Sequence, residues 1–417
     1  MIRGEWQRAA LPGVVLGAAV RTVYVATKWS EPLLLNDSLY YSDQAAQLVR
    51  GDWFHEFLSD EPGAEHGPLT SVLLAPVSWM DVRVPWQRVV TALVGLLAVA
   101  LIARLAWRVG GTRLTVVAGV VAAVYPNLWV SDGLVMSEPV SVCVLSLLLN
   151  AAVGPAPWGV RRSVAVGVLI GLCALARSEL VLLAPLVLWF VWRNGLRHGR
   201  DRRVHLALVA GATALTLLPW VTFNLVRFEE PVLLTTNDGA ALLGTYCPEV
   251  LQTDQIGTWS LFCVLHAPNI TDQMDSSQRS VEYRRQGLAH ARQQLDRLPL
   301  AVVARVARVL DVWGLNDQLR QDVGEERPRW VGWAGIVSFW VLAPLAVWGW
   351  RHVPGNHRRW MLMPCAVVLA ATVVYYGGHR IRSSAEPTMV VAASAAMVAL
   401  YDRYRVRQIR PATSSEA

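Results

Sequence analysis

Residues 33–53 read LLLNDSLYYSDQAAQLVRGDW and lie just after an apolar run, 9–27, long enough to cross a bilayer. The run reads as a retained first span, because no small-residue cleavage site closes it. Past its three leucines the stretch turns polar, with Asp37 and Asp43 flanking two tyrosines. The pattern predicts a short helix starting near Asp37, with Tyr41, Ala45, Leu48 and Val49 on one apolar face. A helix cap explains an aspartate there. A carboxylate fixed just beyond a span can also be a reagent, since polar groups beside lipid are costly.

The same alternation of apolar run and short polar loop fills nearly the whole chain. Of 417 residues, 54% are hydrophobic and 17% charged, against about a quarter charged in soluble domains. The fold class expected is an all-α polytopic membrane protein. Candidate spans are 9–27, 68–80, 88–107, 114–130, 134–153, 163–176, 178–192, 204–222, 331–350, 360–377 and 385–401. The net charge of +7 is no sign of nucleic-acid binding. The arginines cluster in WRNGLRHGRDRR (192–203), RHVPGNHRR (351–359) and YDRYRVRQIR (401–410), which mark the cytoplasmic side. Loops 28–67, 223–330 and 377–387 then lie outside.

Strict alternation of these spans conflicts with that assignment, because one run too many precedes 223–330. Either 68–80 dips without crossing, or 163–192 is a single broken crossing. A 13-residue helix covers only about 20 Å of a roughly 30 Å core. The expected organisation is a membrane module 1–222 carrying the catalytic loop 28–67, an outer region 223–330, spans within 331–410 and a disordered tail 411–417. In the outer region Val302, Val303, Val306, Val309, Leu310 and Trp313 share one helical arc, with Arg305, Arg308 and Asp311 off it, as in a helix lying on a membrane surface. Cys247 and Cys263 share this region, and an oxidising compartment would allow a disulfide between them. Cys143, Cys173 and Cys365 read as small buried hydrophobes.

Further charges stand at span ends on the same predicted face. His66 precedes Pro68 in EHGPLTSVLLAP, Asp132 and Glu138 lie in SDGLVMSEP, and Arg177 and Glu179 in LARSELVLLAP. Asn224 and Asn237 come next in PWVTFN and TTNDG, and YYGGHRIRSSAEP supplies His379, Arg380, Arg382 and Glu386. Each has a plain structural alternative: an interfacial histidine, a self-satisfied Arg177–Glu179 pair, or edge arginines such as Arg21 that snorkel. Together they fit an anionic, lipid-linked substrate. A carboxylate would take the proton of an incoming hydroxyl, and guanidinium forks would receive a departing phosphate. No nucleotide-binding glycine loop is present.

In this order the motifs resemble the GT-C glycosyltransferases, in the group of protein O-mannosyltransferases and lipid A aminoarabinose transferases (family 39-like). DSLYYSDQAAQLVRG supplies Asp37, Tyr41, Ala45 and Gly51. After it come HGPLTSVLLAP, SEP (137–139), ARSE (176–179), PWVTFN (219–224), TTNDG (235–239) and HRIRSSAEP (379–387). The resemblance implies a bundle of about 10–12 transmembrane helices in a bacterial plasma membrane, with an extracytoplasmic active site. It implies a polyprenyl-phosphate sugar as donor substrate, no other cofactor, and a glycan, glycolipid or protein acceptor. Asp37 is then the base, and Arg177, Arg380 and Arg382 contact the donor phosphate. Tyr41, His66, Glu138, Glu179, Asn224, Asn237 and Glu386 bind substrate. Ser38 stands where such enzymes carry a second acidic residue. A lone carboxylate is a poor hard-metal site, so no metal requirement is expected.

Two other classes compete with an enzyme. A flippase of lipid-linked sugars would show paired inverted halves, which the sequence lacks. An inactive scaffold subunit of an envelope-assembly complex would tolerate Ser38 but leaves the arginine loop unexplained.

Overall fold

The computed structural model describes residues 4–34, 36–56, 59–154, 158–194 and 199–409. The tail 411–417 and part of the basic stretch 192–203 lie outside them. The described chain is helical throughout, with one isolated β-bridge between His55 and Pro62. Helices Glu5–Lys28, Arg83–Val124, Arg202–Arg227, Arg329–His352 and His379–Arg405 are long and apolar enough to cross a membrane.

Arg83–Val124 is two helices. The backbone leaves helical geometry at Gly110 and Gly111, where φ reaches 74°, a value glycine adopts without penalty. A methyl group on Gly119 would lie 3.5 Å from that of Ala103, although 16 residues of straight helix would separate them by about 24 Å. The chain therefore turns back as a hairpin, matching 88–107 and 114–130. The first span crosses this hairpin closely. A side chain at Gly13 would meet the backbone of Gly119 at 2.4 Å, as small-residue helix crossings require.

The conflict over alternation resolves at 68–80. That segment forms only Leu69–Leu74 and a 3-10 turn, Ala75–Val77, too short to traverse the bundle. By contrast 163–192 makes two passes, Val160–Ala176 and Leu183–Asn194. Ser163 bonds His205, while Gly167 packs on Val209 and Gly171 on Thr216. Val160–Ala176 thus runs parallel to Gly199–Arg227, so Leu183–Asn194 must return between them. Among the described residues, seven passes precede the long loop and three come after it.

The main core joins the hairpin to Glu138–Ala152, Val160–Ala176 and Glu386–Ile409. The first half of the last helix is also enclosed. Its run of small residues lets Gly349 approach Ala392 so closely that no side chain fits there. Arg21 does not snorkel. It is buried inside the bundle, 2.6 Å from Asp132, because an unpaired charge at that depth would be far costlier than a paired one.

Between the seventh and eighth passes the chain folds into further helices, including Asn237–Tyr246, Ser276–Gln293, Leu298–Val309 and Leu315–Gly324. A disulfide links Cys247 to Cys263. In Leu298–Val309 the off-arc arginines turn inward. Arg305 and Arg308 are buried, while Val303 and, just beyond the helix, Leu310 and Trp313 are exposed. The polar face meets protein carbonyls, among them Val373 and Ile256; of the apolar arc, Val309 is buried in the core and only Val303, Leu310 and Trp313 are exposed.

Candidate active site

The helix Asp37–Arg50 is capped by Asn36, whose side-chain oxygen accepts from the Ser38 amide at 2.8 Å. The cap is thus one residue earlier than the sequence pattern places it, and Asp37 is released from that task. Tyr41 and Ala45 are buried, as the helical pattern predicts, whereas Val49 is exposed. Ser38 is buried against Met136.

Asp37 accepts from Arg380 on Oδ2 and faces His66 Nε2 at 3.3 Å on Oδ1. Burial works against its ionisation. The Arg380 guanidinium, and then His66, outweigh that and hold the carboxyl well below its usual range. Burial likewise disfavours a charged His66, but Asp37 and then Glu65 raise its pKa above the ordinary value. The His66 ring lies between Tyr40 and Tyr41, with centroids 5.1 and 5.2 Å away. Tyr41 is almost fully buried and positions His66 rather than facing solvent. Burial and the charge of Asp37 both raise the Tyr41 phenol's pKa.

Arg380 serves three carboxylates at once: Nε on Glu138, Nη1 on Glu325 at 2.8 Å, and Nη2 on Asp37. Glu138, buried at the first turn of Glu138–Ala152, also receives Arg177 at 3.1 Å and has Arg327 at 3.9 Å. Arg177 closes onto Glu179 at 2.6 Å. These elements arrive at one end of the bundle because each begins or ends a pass there. Asp37, Tyr41, His66, Glu138, Arg177, Glu179 and Arg380 therefore form one continuous cluster.

Other predicted residues are placed elsewhere. Arg382 is buried with Glu386 at 2.7 Å and Asp311 at 2.9 Å, and it lies over the Phe339 ring. Among the described contacts, this group joins the Asp37 cluster through Asp311, His379, Asp322 and Arg327. Arg382 and Glu386 pair with each other inside the protein, away from Asp37 and Arg380. Asn224 is fully buried and accepts from Arg227 at 3.1 Å. Arg227 in turn binds the carbonyls of Phe54 and Gly63, which pins the first loop. Asn237 begins the helix Asn237–Tyr246, half-buried, and has no described contact with the Asp37 cluster.

The motifs of the sequence leave out Glu325, Glu326 and Arg327. Their signal is the charged run GEERPRW (324–330), set immediately before a span. Glu326 anchors this run. Its buried carboxylate accepts from the Leu34 amide at 3.0 Å and pairs with Arg88 at 3.3 Å. Asn36 donates to Gly324 O at 3.0 Å, so the cap of the Asp37 helix rests on this same run.

The arrangement is that of an all-α polytopic membrane protein with the GT-C fold. Among solved structures it is similar to the oligosaccharyltransferase of Archaeoglobus fulgidus in the apo form, with TM-score 0.56 and 15% identity over 97% of this chain and 52% of that one. The same archaeal enzyme, AglB, in complex with an inhibitory peptide and a dolichol-phosphate, gives TM-score 0.52 and 14% identity over 98% and 52%. ArnT from Cupriavidus metallidurans bound to undecaprenyl phosphate gives TM-score 0.44 and 17% identity over 92% and 77%. The chain thus spans about half the length of the archaeal enzyme. No protein-family model and no curated protein sequence matches it.

Proposed function

We propose that this protein is an integral membrane glycosyltransferase that moves a sugar from a polyprenyl-phosphate donor to an acceptor outside the cytoplasm. The observation that carries the reading is the contact between Asp37 and Arg380, a base beside a phosphate-binding fork at the mouth of the helix bundle. The acceptor oxygen attacks the anomeric carbon, and the bond from that carbon to the phosphate oxygen breaks. The electron pair leaves with the phosphate, the acceptor proton passes to Asp37, and the anomeric configuration inverts. Arg380, Arg177 and Arg327 offset the charge on the leaving group. The dolichol-phosphate held by the archaeal enzyme of the same fold supports a polyisoprenoid phosphate donor.

Two features support an extracytoplasmic site. The stretches 351–359 and 401–409, rich in arginine, lie at the opposite ends of the passes that carry it. The Cys247–Cys263 bond belongs to an oxidising compartment. The reading is tested in proteoliposomes supplied with polyprenyl-phosphate sugars and an envelope glycan extract. Release of free polyprenyl phosphate, lost in Asp37→Asn, is the expected result. Equal release by the variant overturns it. Comparative mass spectrometry of envelope glycans and glycoproteins from a deletion strain identifies the acceptor.

A further inference from the structure

We propose that Glu325 is a displaceable carboxylate that occupies the donor-phosphate position on Arg380 and Arg327 until the donor arrives. The inference rests on the donor reading above and adds a residue to that site. Every nitrogen of Arg380 already faces a carboxylate: Glu138, Glu325 and Asp37. A phosphate can engage this fork only if one of the three withdraws.

Burial and anchoring exclude Glu138, and the proton-acceptor role excludes Asp37, whose side chain is 24% exposed like that of Glu325. Glu138 has a side chain only 5% exposed, is shared by three arginines and is fixed at the first turn of a core helix, so it has no path to withdraw into solvent. Asp37 is the proton acceptor and must stay beside the attacking hydroxyl. Glu325 has a side chain 24% exposed, sits just past the last turn of Leu315–Gly324, and has no described partners other than Arg380 and Arg327. Its seat at 2.8 Å from Arg380 and 3.6 Å from Arg327 is a two-guanidinium cradle, which suits a phosphate better than a single carboxylate.

The neighbouring residue supplies a fixed base for the movement. Glu326 holds φ at 65°, an uncommon value for a non-glycine residue. Its buried contacts with Arg88 and the Leu34 amide keep it there. Glu325 can therefore swing out while the backbone that supports Asn36 and Asp37 stays in place.

The test uses the full chain in nanodiscs with undecaprenyl phosphate as the probe, its affinity read by native mass spectrometry. Glu325→Gln and Glu325→Ala are both expected to bind it roughly five- to tenfold more tightly than the parent, because a competing charge is gone. A merely structural role would weaken binding or leave it alone, so the sign is diagnostic. Unchanged or weaker binding by both variants overturns the displacement of Glu325 and leaves the donor reading intact. Failure of the parent protein to bind undecaprenyl phosphate overturns the donor reading, and this inference with it.

Discussion

Nη2 of Arg380 donates a hydrogen bond to Oδ2 of Asp37 across 343 positions of sequence. The contact links the start of the second helix to the start of the last span. It places the proposed base and the proposed phosphate ligand within one hydrogen bond of each other, and it makes each hostage to the other's charge. Removing the Asp37 charge leaves Arg380 paired with Glu138 and Glu325, so the fold should survive. Asp37→Asn is expected to lower sugar transfer by at least about 10²-fold while membrane insertion and melting temperature stay near the parent values. Turnover in proteoliposomes and a thermal melt measure the two quantities side by side.

Arg380 and Arg382 stand two residues apart and should respond differently. Arg380 faces the cluster around Asp37, whereas Arg382 is enclosed by Glu386, Asp311 and the Phe339 ring. Arg380→Lys keeps the charge but loses the planar fork that reaches three acceptors. It is expected to raise the donor KM and lower kcat together. Arg382→Met strands the buried Glu386 carboxylate, leaves Asp311 with His379 alone, and should cost about 3–5 kcal/mol of stability. Protein that remains folded should keep the parent donor KM. A raised donor KM in folded Arg382→Met would return that residue to the phosphate site.

Sequence periodicity is enough to expose the spans, the helix beginning near Asp37 and the end of the bundle where charges gather. Apolar runs and arginine clusters are local signals, and membrane insertion constrains both strongly. Partner choice among buried charges is not local. Arg380 and Arg382 sit in one short motif, and only the packing of Phe339 and Asp311 around the second separates their surroundings. The segment 68–80 illustrates the same limit. Its composition suits a short span, but Pro76 and the turn at Ala75–Val77 end it after two short helical pieces. Glu325 and Arg327 escape notice because charges before a span read as ordinary interfacial residues until Arg380 and Glu138 are found against them.

The Asp37–His66 pair gives stability a pH window. The folded-state pKa of His66 lies above 6.5, so its contribution is complete below that value and is lost as pH rises through the raised one. The Asp37 carboxyl lies below 3.8 in the folded state, so its contribution holds above 3.8 and is lost as pH falls through the lowered value. Melting temperature should therefore decline on the alkaline side of His66's ordinary titration. His66→Gln keeps a hydrogen-bond donor near Asp37 without the charge, and it is expected to flatten that alkaline limb. A limb of the same size in the variant would assign it to another group.

Gly67 fixes where His66 stands. A methyl group at this position would lie 2.3 Å from the carbonyl oxygen of Leu175, well inside van der Waals contact. The first loop thus rests directly on the last turn of Val160–Ala176, two residues before Arg177. Gly67→Ala must push the loop off that helix end, and His66 moves with it, away from Asp37. The shift leaves the buried core untouched, so most of the stability should remain. Transfer depends on sub-ångström placement of reacting groups, and kcat is expected to fall about 10- to 100-fold with a small change in melting temperature. Pairing it with His66→Gln gives the decisive comparison. If Gly67 acts through His66, the double variant should be little worse than the poorer single one. Losses that multiply would show that the loop positions some other part of the site.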